Sequence, residues 1–192
     1  MDLYLLSCEN IQPYAERILP LLPEQRRLSY GRSRSPLTLG AGLLLAAILD
    51  IHRDDDLVVG RFGKPALTAG KPAFSLSHSG KHVLLGISDG PIGVDMEPAD
   101  RRVKRSVQER ICLPQEMGLD PLTVFTRKEC AMKLTGLGFS LPLQQIDTTS
   151  PFAWQNGSYH FYTMERDGYV MSVLSSEEKL SDIQTVTPED LL

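Results

Sequence analysis

The chain has 192 residues, of which 42% are hydrophobic and 23% charged, an ordinary globular composition that excludes disorder, collagen and coiled coil. Its 20 basic and 24 acidic residues leave a formal net charge of −4, the wrong sign for an overall nucleic-acid footprint. The three cysteines, Cys8, Cys112 and Cys130, form no CxxC, so neither a disulfide framework nor a zinc site is indicated and a reducing, cytoplasmic compartment is expected.

Met1-Asp2-Leu3-Tyr4 puts an acid where a signal peptide carries a base. Leu3-Tyr4-Leu5-Leu6 reads as an early strand, and Pro13 to Leu28 carries helical signals up to a break at Ser29-Tyr30-Gly31. Ser35-Pro36 is a cap followed by proline, and the helix it opens is expected to run to about Asp50. The apolar stretch Leu39 to Leu49 has 11 residues. That is well short of the roughly 20 that cross a bilayer, so no membrane partner is expected. Phe74 to Ser77 and Val83 to Ser88 are predicted strands, Asp89-Gly90 a turn, and Ile92 to Glu97 the returning strand. Asp120-Pro121 repeats the cap-then-proline signal and opens a helix ending near Gly136 to Gly138. Tyr159 to Met164, the Asp167-Gly168 turn and Tyr169 to Leu174 form a hairpin. The acidic tail from Ser175 is expected on the surface, free to fray. Helix, strands, helix, strands is an α+β pattern, with helices packed on antiparallel sheets.

Four features point to chemistry. Asp95 and Glu97 are two apart on a predicted strand, so their carboxylates share a face. A hard cation such as Mg²⁺ would relieve their repulsion; the alternative is a pair of acids that closes a strand at solvent. Glu129 and Lys133 are i, i+4 neighbours on a helix, either an exposed ion pair or a base and a phosphate-neutralising ammonium. Ser75, Ser77, His78 and Ser79 precede Gly80 in a polar segment that either turns the chain or donates to an anionic phosphate. Arginines gather at Arg26, Arg27, Arg32 and Arg34, and again, with Lys104, at Arg101, Arg102, Arg105 and Arg110. One cluster suits a multiply phosphorylated ligand and the other an acidic protein partner, unless both are solvated faces. Lys64, in Gly63-Lys64-Pro65, adds one ammonium on a turn.

In this order, Gly63-Lys64-Pro65, Phe74-Ser-Leu-Ser-His-Ser-Gly80, Gly93-Val-Asp-Met-Glu97 and Phe125-Thr-Arg-Lys-Glu-Cys-Ala-Met-Lys133 resemble the 4′-phosphopantetheinyl transferase superfamily of the surfactin-synthetase-activating type. The resemblance covers about residues 23 to 145. It implies two similar α/β lobes related by a pseudo-twofold axis, each a small antiparallel sheet on a long helix. Here the lobes would be residues 1–97 and 98–192, in one monomeric unit with the active site in the cleft. It implies transfer of phosphopantetheine from coenzyme A to a serine of an apo carrier protein, with adenosine 3′,5′-bisphosphate released. Asp95, Glu97 and Glu129 match the family's Mg²⁺ ligands, and Glu129 also its general base. Lys133 matches the lysine on the α-phosphate. Lys64, Ser77 and His78 match coenzyme A contacts, and Arg26 and Arg34 lie near the 3′-phosphate position. The chain departs from the family at Phe125, often Trp, at Cys130, often Ala or Ser, and at Leu137, often Lys or Arg. The alternative is a non-catalytic module of the same fold that binds coenzyme A or a carrier protein.

Overall fold

Strand periodicity decides the first layer at once: β1 (Asp2–Ser7) turns Leu3 and Leu5 to one side and Leu6 to the other, all fully buried. The computed structural model describes all residues from Met1 to Leu192. After β1 the chain passes through α1 (Ala15–Ile18) and α2 (Glu24–Ser33) into the long α3 (Pro36–Leu49). A two-stranded ribbon, β2 (Leu57–Val59) with β3 (Pro65–Leu67), leads to β4 (Ala73–Ser79), β5 (His82–Ser88) and β6 (Ile92–Pro98). The second half holds α4 (Arg105–Ile111), α5 (Pro121–Thr135), β7 (Phe152–Trp154), β8 (Gly157–Arg166), β9 (Tyr169–Ser175) and β10 (Ile183–Val186).

The strands form two four-stranded sheets, ordered β10-β1-β5-β4 and β6-β9-β8-β7. All their pairings are antiparallel except β1 with β10, which run parallel. Apolar side chains sort into three cores. Leu39, Leu43 and Leu44 of α3 cluster with Phe74, Val83 and Leu85 of the first sheet. Leu3, Leu5 and Leu84 cluster with Val94, Met96 and Val173, joining the two sheets. Cys130, Ala131 and Leu134 of α5 cluster with Tyr159 and Leu174 of the second. The layers are therefore α3, first sheet, second sheet, α5, an α+β architecture. No helix is long and apolar enough to cross a membrane.

The two long helices start and stop where their sequences direct. Both α3 and α5 have proline in the first turn, where its missing N–H leaves no bond unmade. Asp120 caps α5 by accepting from the Thr123 N–H at 2.8 Å. Gly136, at φ 69°, closes α5 in the left-handed region that glycine enters without strain.

Three expectations need correction. Ser29-Tyr30-Gly31 does not break the helix: α2 runs through it to Ser33 because Tyr30 is anchored in the first core, where its hydroxyl accepts from Gln12. The tail does not fray throughout, since β10 adds a strand beside β1 and buries Ile183 between the sheets. A lobe boundary at residue 97 does not match the sheets, because β6 belongs to the second sheet and β10 returns to the first.

Helix α5 approaches β6 closely over Gly93. A Cβ there would lie 2.0 Å from the carbonyl oxygen of Cys130, a backbone atom that cannot swing aside. Gly93→Ala is expected to lower stability by about 3 kcal/mol or more through overpacking. Gly31→Ala, at a helical site with nothing within 4 Å of the added carbon, is expected to raise it by up to about 1 kcal/mol. Urea denaturation of both variants checks the contrast.

Candidate functional site

The edge strands β4 and β6 face each other across the two sheets without backbone pairing. Serines fill the gap. The alternation of Phe74-Ser-Leu-Ser-His-Ser79 sends Phe74 to the α3 core and Ser75, Ser77 and Ser79 towards β6. Ser75 Oγ accepts from the Val94 N–H at 3.1 Å, and Ser77 Oγ from the Met96 N–H at 3.3 Å. Ser77 donates to Asp95 Oδ1 at 2.8 Å, and Ser79 to Glu97 Oε2 at 2.9 Å. Edge N–H groups that lack a strand partner thus gain one, and both carboxylates are oriented by the same ladder.

Asp95 and Glu97 lie on the same side of β6 as Gly93, facing α5, as their spacing predicts. Glu129 does not pair with Lys133. Lys133 reaches across instead and donates to Asp95 Oδ1 at 2.7 Å. Arg101, just past β6, pairs with Glu97 Oε1, and its guanidinium carbon lies 4.8 Å from the centre of the Phe125 ring. Asp95 is 5% exposed, and its Oδ2 has no partner. Burial raises the Asp95 carboxyl above the usual range, against the pull of Lys133 and Ser77. Burial first, and then the charge of Asp95, pushes Glu129 up to about 7.

Glu129 and Lys133 line one cavity of about 260 Å³. Its walls are Phe62 and Lys64 from the ribbon loop, Phe74 and Leu76 from β4, Met132 from α5, and Phe139 beyond it. Lys64 lines this cavity, but its ammonium donates to the carbonyls of Leu134, at 3.0 Å, and Ile92, at 3.4 Å. Burial lowers its pKa from the ordinary 10.5 to about 8. A second cavity of about 380 Å³ lies against the other side of Glu129, walled by Val107, Ile111, Phe125, Met132 and Phe139.

Other expected site residues lie elsewhere. Ser77 is engaged by Asp95 and β6 and is not among the cavity-lining residues. His78 is exposed on the opposite face of β4, one step beyond Leu76. Arg26 and Arg34 are both on the α2 segment, and neither lines the cavity that holds Glu129. Arg26 is half-buried and its guanidinium pKa is lowered by burial, while Arg34 ends α2 at φ 51° over the Tyr30 ring.

The pairings of Lys128 and of Arg101 are not evident in the sequence. Lys128, buried at 1% exposure, donates to the carbonyls of Leu143 and Ile146 and pairs at 2.9 Å with Glu116, itself fully buried. Glu116 also accepts from Leu113 N and from Thr148 N and Oγ1. Burial alone would raise its carboxyl, but these bonds hold it below the usual range. The pair ties α5 to two loops, directly beside Glu129. Glu116 stands alone among polar residues, so nothing in the sequence marks it. Arg101 belongs to the second basic cluster of the sequence, but its pairing with Glu97 has one faint signal, their spacing of four.

All-oxygen carboxylates suit a hard cation, and the orphaned, buried Asp95 Oδ2 is the atom such an ion would take. The acids are not gathered as a ready ligand group, because Lys133 and Arg101 hold Asp95 and Glu97 separately. No protein-family model and no curated protein matches the chain.

Removing one partner of a buried ion pair leaves the other charge uncompensated, so Glu116→Gln is expected to cost about 3–5 kcal/mol in urea denaturation. Lys64 supplies a pH test. Its pKa is lower folded than unfolded, so the unfolded chain binds the extra proton between about 8 and 10.5 and stability should rise across that window. The wild type should gain on Lys64→Met as the pH passes from 8 to 10.5; a constant difference between the two would refute the assignment.

Proposed function

We propose that the chain is a 4′-phosphopantetheinyl transferase. It moves the phosphopantetheine arm of coenzyme A to a serine of an apo carrier protein in a Mg²⁺-dependent reaction. In this reading the two sheets with α3 and α5 are the two pseudo-symmetric lobes, and the cavity between β4 and α5 is the nucleotide side of the cleft. The observation that carries it is the placement of Glu129 and Lys133, one helical turn apart, on the wall of one cavity, with Lys133 bonded to Asp95.

The chemistry follows from these positions. The carrier serine oxygen forms a bond to the phosphorus that bears the pantetheine arm, and the bond from that phosphorus to the bridging oxygen breaks. Adenosine 3′,5′-bisphosphate leaves with the electron pair. Glu129, with its carboxyl poised near neutral pH, accepts the serine proton. Lys133 neutralises charge that grows on the departing phosphate. Phe62 and Phe139, both exposed, offer flat apolar surface to a nucleobase. Asp95, Glu97 and Glu129 are the residues that would hold a Mg²⁺ ion, which would supply charge neutralisation to the transferring phosphoryl group. Positioning and neutralisation are the main demands of phosphoryl-type transfer, and no covalent enzyme intermediate is needed.

The test is the intact mass of an apo carrier protein after incubation with this protein, coenzyme A and Mg²⁺. The expected result is a gain of one phosphopantetheine, abolished by chelation and reduced at least about 100-fold in Asp95→Ala and in Glu129→Gln, the latter with its thermal midpoint kept. No gain on fatty-acid, polyketide or peptide carriers, with coenzyme A still bound, would favour the non-catalytic module.

A further inference from the structure

The pairing of Arg101 leads beyond this reading while resting on it. Asp95 and Glu97 on β6 and Glu129 on α5 bring three carboxyl groups close together, with Glu129 raised in part by the other two. Two cations answer them, in different ways. Lys133 is carried on α5, is largely shielded from solvent and holds Asp95 Oδ1. Arg101 is carried on the turn after β6, where its N–H bonds back to Pro98, and its side chain is 45% exposed. Its only ion pair is Glu97 Oε1, and its remaining support is the face of Phe125.

Glu97 is therefore engaged on both oxygens, by Arg101 on Oε1 and by Ser79 on Oε2. Asp95, in contrast, keeps Oδ2 free while 5% exposed. One ligand is open and the other is covered by a long, solvent-reachable cation.

We propose that Arg101 is a resident counter-ion standing in the metal's place on Glu97, and that a divalent cation loads by displacing it. Both cations need the same carboxylate oxygen, so they compete for it, and the affinity of the free protein for metal is set by that exchange. The displaced guanidinium keeps its seat on Phe125, at the mouth of the second cavity. An exposed ion pair with a stacking contact is a modest competitor, so the effect on metal affinity is severalfold.

The experiment measures Mn²⁺ binding without coenzyme A, by electron paramagnetic resonance of free Mn²⁺. It uses the wild type, Arg101→Gln, Arg101→Lys and Asp95→Asn. Arg101→Gln is expected to bind Mn²⁺ about three- to tenfold more tightly than the wild type, and to gain more thermal stability from the ion. Arg101→Lys, which keeps the charge, should lie nearer the wild type and guards against a folding defect. Unchanged or weaker binding in Arg101→Gln, with Asp95→Asn still abolishing it, would overturn the exchange and leave the metal site standing. Absence of Mn²⁺ binding in every form would remove the metal site itself and the exchange with it.

Discussion

The three serine hydroxyls of β4 are the contacts on which the rest of the site depends. Two sheets packed face to face would ordinarily leave the edge of β6 with unpaired N–H groups beside the edge of β4. Ser75 and Ser77 accept those N–H groups, and Ser77 and Ser79 then use their own protons on Asp95 and Glu97. One row of small polar side chains thus joins the layers and aims both carboxylates at α5. A larger residue in the row would part the strands, and an apolar one would leave β6 unsatisfied.

The second requirement is a close and fixed α5. Gly93 admits the helix backbone to contact with β6, and the buried Lys128–Glu116 pair holds the helix to the 113–116 and 143–148 segments. Glu129 follows Lys128 directly, so its place near Asp95 and Glu97 depends on the anchoring of its neighbour. The same helix brings Lys133 across to Asp95. The site is built from one strand edge and one helix face, on elements that cannot drift apart without breaking buried polar bonds.

Much of the fold was legible. The cap-then-proline signals placed the starts of α3 and α5, and Gly136 placed the end of α5. Apolar runs bounded by turn signals placed β4, β5, β6, β8 and β9. The common face of Asp95 and Glu97 followed from the pleat alone. The partners did not follow. Glu129 and Lys133 have ideal helical spacing for a pair, yet Lys133 finds the more deeply buried Asp95, where screening by water is least. Ser77 reads equally well as a phosphate donor, and its hydroxyl goes to β6. β10 has only four residues, and its place beside β1 depends on a contact from the far end of the chain.

Composition and periodicity by themselves determined an α+β protein with two long helices, and put two acids on one strand and a third beside two lysines on a helix. Those properties are local, fixed by bond geometry and by which side of an element a residue must bury. Tertiary structure alone decided that β4 and β6 meet through serines and that Glu116 neutralises Lys128. It also decided that Arg101 and Lys133 divide the carboxylates between them. The serine contacts, the Glu116–Lys128 pair and the Lys133–Asp95 pair join residues 12 or more positions apart, and Arg101 on Glu97 sets one partner against another; such choices are made by burial and distance in the folded state.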